Sequence, residues 1–155
     1  MEKIINYKKL QIIDSKKQLS TKELEDFSKL FIVKPPHSFI KLYSLYNGGG
    51  LSEENQEKEL WKLPILGFSP IKYGNLSIEK FIEEIQEIKS QEFGVWGKGE
   101  FIPFAYDMGG HTIFLSLKKD DKGIYFFDYD SENFIQLSSC FDGFLKELYG
   151  ASKDV

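Results

Sequence analysis

The chain has 155 residues, 41% of them apolar and 15% aromatic, and a net charge of −4. That length suits one domain, 1–155, with a core that needs no staples; the 14 Phe and 8 Tyr exclude a disordered chain. A single cysteine, Cys140, excludes an internal disulfide, and the acidic balance counts against direct nucleic-acid binding, which needs a basic surface.

The charge is uneven. Residues 1–41 carry nine lysines against five acids, 51–100 carry six against ten, and 101–155 carry five against nine. A cationic protein is the better electrostatic partner for such a chain. Every basic residue is lysine, which disfavours sites built on the arginine fork. The start, Met1 to Lys9, lacks the apolar stretch of a secretory signal. No run approaches the roughly 20 apolar residues of a membrane span. A cytoplasmic address with no membrane contact is expected.

Residues 2–13 are ambiguous between a short helix and an irregular arm. Ser20-Thr21-Lys22-Glu23 fits a capping box, and Leu24, Phe27, Leu30 and Phe31 follow at helical spacing. Pro35-Pro36 ends that helix and starts another, with Phe39, Leu42, Tyr43 and Tyr46 on one face. Asn47-Gly48 supplies the left-handed residue that stops it, so the two helices form a hairpin.

Residues 52–59 are polar and read as a loop. Trp61, Leu63 and Ile65 alternate with Lys62 and Pro64, which predicts an edge strand. Ser77 caps a helix with Ile78, Phe81, Ile82, Ile85 and Ile88 on its apolar face. Glu79, Glu83 and Glu87, four apart, stack on its other side beside Glu84. Residues 90–100, with Gly94, Gly97 and Gly99, read as a turn-rich connection.

Runs at 101–106, 111–117, 123–129 and 133–137 predict an antiparallel meander. Its turns fall at Gly109-Gly110, Lys118 to Lys122 and Ser131-Glu132. Ser139 then caps a closing helix with Phe141, Phe144, Leu145 and Leu148 inward, ended by Tyr149-Gly150. The sum is α+β: a mainly antiparallel sheet flanked by N-terminal helices, a middle helix and a C-terminal helix.

No catalytic set stands out. Asp128-Tyr129-Asp130-Ser131-Glu132 opens like a calcium loop but has Asn133 where glycine is required and Ser139 where a bidentate glutamate is required. The glycines of 94–99 are in the wrong order for a dinucleotide fingerprint, and Asn47-Gly48-Gly49-Gly50 lacks the lysine of a phosphate loop. Cys140 reads as a half-buried structural thiol rather than a nucleophile. His37 and His111 are the only histidines, too few for zinc without carboxylates. His111 is placed to hydrogen-bond Asp107 across the Gly109-Gly110 turn. The expectation is a non-enzymatic binding protein without metal or cofactor.

The ordered segments Lys34-Pro35-Pro36, Asn47-Gly48-Gly49, Ile102-Pro103-Phe104-Ala105, Asp107 with Gly109-Gly110, and Phe141 with Phe144-Leu145 resemble the SUKH superfamily, which includes the Smi/Knr fungal regulators of cell-wall glucan synthesis. The resemblance covers about residues 20–149. The family often has an acid directly after Gly-Gly, where this chain has His111. The resemblance implies an α+β fold and, for bacterial members of this size, an immunity protein that neutralises a cognate polymorphic toxin, often a nuclease. The alternative is a regulatory scaffold, as in the fungal relatives. A third reading is a hydrolase using carboxylates near Asp107 and Asp128. Under the immunity reading the partner is a basic toxin, and Glu79, Glu83, Glu84, Glu87, Asp107 and Asp128 are the partner-binding candidates. Pro36, Asn47, Gly48, Pro103, Gly109 and Gly110 are the structural motif positions; for Asn47, Asp107 and the glycines beside them a turn-forming role is favoured over binding.

Overall fold

A buried asparagine amide joins three separate stretches of chain. In the computed structural model, which describes residues 6–58, 61, 63, 65–85, 87–91, 94–128 and 130–148, Asn47 Nδ2 donates to the carbonyls of Lys17 (2.9 Å) and Ile71 (3.0 Å). Its Oδ1 accepts from the Ile71 amide at 2.7 Å. Its own carbonyl accepts from Lys16 N. Gly48 follows with φ +76°, its Cα where a Cβ would stand 2.9 Å from Pro70 backbone atoms. Both motif positions make close contacts with backbone of other segments.

The N-terminal arm is a 3-10 turn, Tyr7–Leu10, and a short strand β1, Ile12–Ile13. Helix α1, Thr21–Ser28, starts with both halves of the expected capping box. It is shorter than the spacing predicts: Leu30 is 50% exposed, because the chain leaves the helix at Lys29 and Ile32 N bonds the Gly99 carbonyl. Helix α2, His37–Leu45, begins at Pro36, whose carbonyl accepts from Phe39 and Ile40. Proline therefore occupies the cap rather than the first turn. The hairpin forms, with Phe27 stacked on Phe39.

Strands β2 (Gly49–Leu51), β3 (Gly67–Phe68), β6 (Phe101–Tyr106), β7 (Thr112–Ser116), β8 (Ile124–Asp128) and β9 (Asn133–Ser138) join β1 in a seven-stranded antiparallel sheet. Its order is β1-β2-β3-β6-β7-β8-β9. A two-stranded hairpin, β4 (Ile88–Ser90) with β5 (Gly94–Trp96), makes a separate ribbon. The helices are completed by α3 (Glu53–Glu57), α4 (Ile78–Glu84) and α5 (Phe141–Leu148). The α+β architecture stands as expected.

The two sheet faces carry different cores. Ile102, Phe104, Ile113, Leu115 and Ile124 join α1, α2 and α5 in the larger one. Phe104 is its hub, with ring contacts to Phe39, Phe68, Phe141 and Phe144. A register shift between Pro103 and Ala105 lets adjacent Phe104 and Ala105 both join that core. The bulge also accommodates a proline in an interior strand. On the other face Trp96 packs with Phe101, Phe114, Tyr125 and Phe134 and donates to Ser116 Oγ at 3.0 Å.

Several expectations are corrected. No described residue of 61–65 lies in a strand: Trp61 and Ile65 are buried, but Ile65 N bonds Leu63 O, and pairing begins at Leu66, on Tyr106 O. Lys62 and Pro64 lie outside the described residues. The 52–59 loop contains α3, capped by Ser52 Oγ and led by Glu53 and Glu54, which suit a helix N-terminus. The 90–100 connection contains β5, and Gly94 (φ +84°) serves the β4–β5 turn. The middle helix stops at Glu84, since Ile85 is extended and packs with Ile88 on the Trp96 core. Tertiary burial outweighs helical periodicity there. The cap of α5 is Cys140, not Ser139: Cys140 O accepts from Phe144 N, and its Sγ accepts from Gly143 N at 3.3 Å. Cys140 is exposed rather than half-buried. Tyr149-Gly150 and residues 1–5 lie outside the described residues.

The Asn47 junction makes a definite prediction. Asn47→Ala leaves the Ile71 amide and two carbonyls without their partner and should cost about 3 kcal/mol. Urea unfolding of the variant against the parent chain measures it, with an unchanged m-value.

Candidate functional site

The meander brings two turns to one end of the sheet. The β6–β7 turn is organised by Asp107, whose Oδ1 accepts from the amides of Gly109 (3.0 Å) and His111 (2.8 Å). Its backbone closes the loop through Asp107 N to His111 O and Gly110 N to Asp107 O. Gly110 adopts φ +82°, a left-handed conformation suited to glycine. In the β8–β9 turn Asp128 accepts from Asp130 N at 2.9 Å and from Ser131 Oγ at 3.0 Å. These bonds hold the Asp128 carboxyl below the usual range, the Asp130 amide first among them.

His111 joins the turns. Its Nδ1 lies 2.9 Å from Asp107 Oδ2, and its Nε2 lies 3.7 Å from Asp128 Oδ1. The ring sits against Phe126 at 5.2 Å. The hydrogen bond to Asp107 raises the imidazole pKa above its ordinary value, with the charges of Asp107, Asp128 and Asp130 adding and burial opposing. A neutral imidazole carries one N–H, so only the imidazolium can offer a donor toward both carboxylates. His111, Asp128 and Asp130 together present ligand-type atoms within 4.8 Å of one another. The Asp107–His111 bond was legible in sequence. The approach of Asp128 was not, because it depends on the β7–β8 register, which sets Ile113 opposite Phe126.

The glutamates divide. Glu83 and Glu84 are exposed on α4. Glu79 is half-buried and accepts from Lys72 N at 2.9 Å. Glu87 lies beyond the helix end and pairs with Lys89 at 3.6 Å, so the expected stack of Glu79, Glu83 and Glu87 does not form. The carboxylates offered for hydrolytic chemistry, Asp107 and Asp128, converge on an imidazole while both accept turn hydrogen bonds.

Between α4 and the β6–β7 turn lies a groove of about 480 Å³. Its walls include Leu76, Phe81, Ala105, Tyr106, Gly110 and Thr112. Sequence reading missed it. The one available signal was Tyr106, a large side chain at the end of a strand, opposite Thr112 rather than Ile113.

Among the described residues no helix is long and apolar enough to cross a membrane. The sequence model of the SMI1 / KNR4 family (SUKH-1) matches residues 18–147. No curated protein and no solved structure matches the chain. The chain belongs to the SMI1 / KNR4 family, a family known for non-enzymatic immunity or regulatory roles.

Asp107→Asn should lower the His111 midpoint toward the ordinary value of 6.5, read by NMR titration of the ring protons. Because the folded pKa is raised, the stability it contributes is fully present below the unfolded value and fades as pH rises through the folded one. His111→Gln should remove that slope in pH-dependent unfolding.

Proposed function

We propose that this chain is an immunity protein that binds a cognate bacterial toxin and blocks it, without catalysing a reaction itself. The observation that carries this reading is the match to the SMI1 / KNR4 family over residues 18–147, a family generally composed of immunity proteins that bind toxins. The charge agrees with it. Glu83 and Glu84 are solvent-facing on α4, and Asp107, Asp128 and Asp130 gather at the neighbouring sheet end. A basic toxin, such as a nuclease that must hold polyanionic substrate, would be steered to such a surface and held by a few apolar anchors.

Affinity capture of the tagged chain from its native cell, at low and moderate salt, tests this. The expected result is one dominant basic partner bearing a toxin domain, whose activity is abolished when the two purified proteins are mixed. Recovery of several host proteins, each weakly held, would overturn it in favour of a regulatory scaffold.

Charge reversal separates the glutamates. Glu83→Lys with Glu84→Lys should slow association with the captured partner by about tenfold at low salt and little at high salt. Glu87→Lys, beyond the helix end, should change it far less. Stopped-flow binding measures both.

A further inference from the structure

We propose that the groove between α1 and α2 takes an acidic partner segment that carries one large apolar side chain. The groove measures about 710 Å³, and Leu24 of α1 and Ile40 of α2 give it apolar wall. Ser28 and Ser44 also line it, and their hydroxyls turn back on their own helices. Ser28 Oγ donates to Leu24 O at 2.9 Å, and Ser44 Oγ donates to Lys41 O at 2.7 Å. These two positions therefore leave room without presenting an unmet polar group. Exposed apolar surface gathers beside the groove. Nine large apolar side chains are exposed among the described residues. Three of them, Leu30, Ile32 and Val33, lie in the connector from α1 to α2, and Leu45 ends α2. Apolar surface concentrated in this way beside a polar rim marks an interaction site.

Charge on the lining itself selects the occupant. Lys29 and Lys34, at the two ends of the connector, both line the groove, and both are exposed. Neither makes an ion pair among the described residues. Glu25 is the one carboxylate of the lining among the described residues, so the rim keeps an excess of cation. An apolar side chain flanked by acids suits both the walls and the lysines; one flanked by cations suits only the walls. A lipid surface is also anionic, but it is flat and does not reach a recessed wall such as Leu24, which is 7% exposed. The chemistry selected here is opposite to that of a basic toxin. This groove is therefore a second surface, independent of the toxin-binding reading.

The walls are fixed before any partner arrives. Phe27 of α1 stacks on Phe39 of α2 with ring centroids 6.2 Å apart, which joins the helices through the core. The connector is pinned midway, where Ile32 N donates to Gly99 O at 3.0 Å. Gly99 has φ +84°, and a Cβ there would stand 3.2 Å from Leu30 O, so glycine admits this close approach. A preformed groove binds with less ordering cost than one assembled on contact.

The isotope-labelled full chain is titrated with three synthetic peptides: acetyl-Glu-Glu-Trp-Glu-Glu-amide, its Lys counterpart, and the Glu peptide with Gly in place of Trp. Saturable amide shifts at 21–29 and 34–44 with the first alone are expected. Lys29→Glu with Lys34→Glu, at two exposed positions, should weaken that binding about tenfold. Lys41→Glu, on α2 but outside the lining, should change it less than about twofold at moderate salt. Equal shifts from the Lys peptide, or shifts centred outside α1, α2 and their connector, would overturn the proposal. So would the absence of any saturable shift, or unchanged affinity of the double reversal. Sedimentation with vesicles of phosphatidylcholine and phosphatidylserine separates the other anionic surface: co-sedimentation without peptide binding would replace the segment by lipid. The double reversal removes no acid from α4 or from the sheet-end turns. Failure here would therefore leave toxin binding standing, and peptide binding with no toxin captured would do the reverse.

Discussion

The Asn47 side chain is the constraint on which the rest of the structure depends. It is 2% exposed, and three of its hydrogen bonds go to main chain from segments 24 and 30 residues away. A carboxamide is the side chain that can donate twice and accept at one site with this geometry. Aspartate lacks the donors and leucine has neither function. Because its partners are backbone groups, the junction fixes chain direction rather than packing. The N-terminal arm, the exit from α2 and the loop entering α4 are locked to one another. Gly48 then turns the chain through a left-handed residue beside Pro70 and starts β2.

From that junction the two sheet faces follow. The loop held by Ile71 continues into α4, whose Ile78 and Ile82 join the helix-side core. Ile85 and Ile88, just beyond, join the Trp96 core. This short stretch therefore bridges two hydrophobic clusters across the plane of the sheet. The bulge at Phe104 performs a similar service within β6, directing consecutive side chains to one core while Phe101 serves the other. The groove sits where these two devices meet, beside Phe81 and Tyr106.

How much of this was legible in the sequence depends on the range of the interactions. The capping box at Ser20, the four strands from 101 to 138 and the apolar face of α5 are local patterns, and they formed where expected. The Asp107–His111 bond spans four residues and was equally visible. The failures are tertiary. Ile85 and Ile88 continue a helical period, but burial against Trp96 draws them into extended chain and carries Glu87 off the helix. Trp61, Leu63 and Ile65 alternate like a strand, yet Trp61 is oriented by its bond to Leu10 O and by edge-on packing against Phe68. Helix α3 buries nothing, so no apolar period could announce it. The convergence of His111 with Asp128 needs a register that no short window contains.

The acids of this chain fall into two kinds by what they bond. Glu23 is held to about 2 by Lys72, Tyr73 and the Ser20 amide, and Asp107 and Asp128 are occupied by the turns they build. Their charge is fixed in place, with little freedom to reach a ligand. Glu83 and Glu84 sit on an exposed helix face and can follow a partner as it docks. Fixed charge shapes the field that an approaching molecule meets, while mobile charge adapts after contact. In the proposed complex the fixed acids would steer a basic partner and the mobile ones would adapt to it after contact. The His111 proton acts on the first, because it changes the net charge of the turn end that Asp107 and Asp128 share.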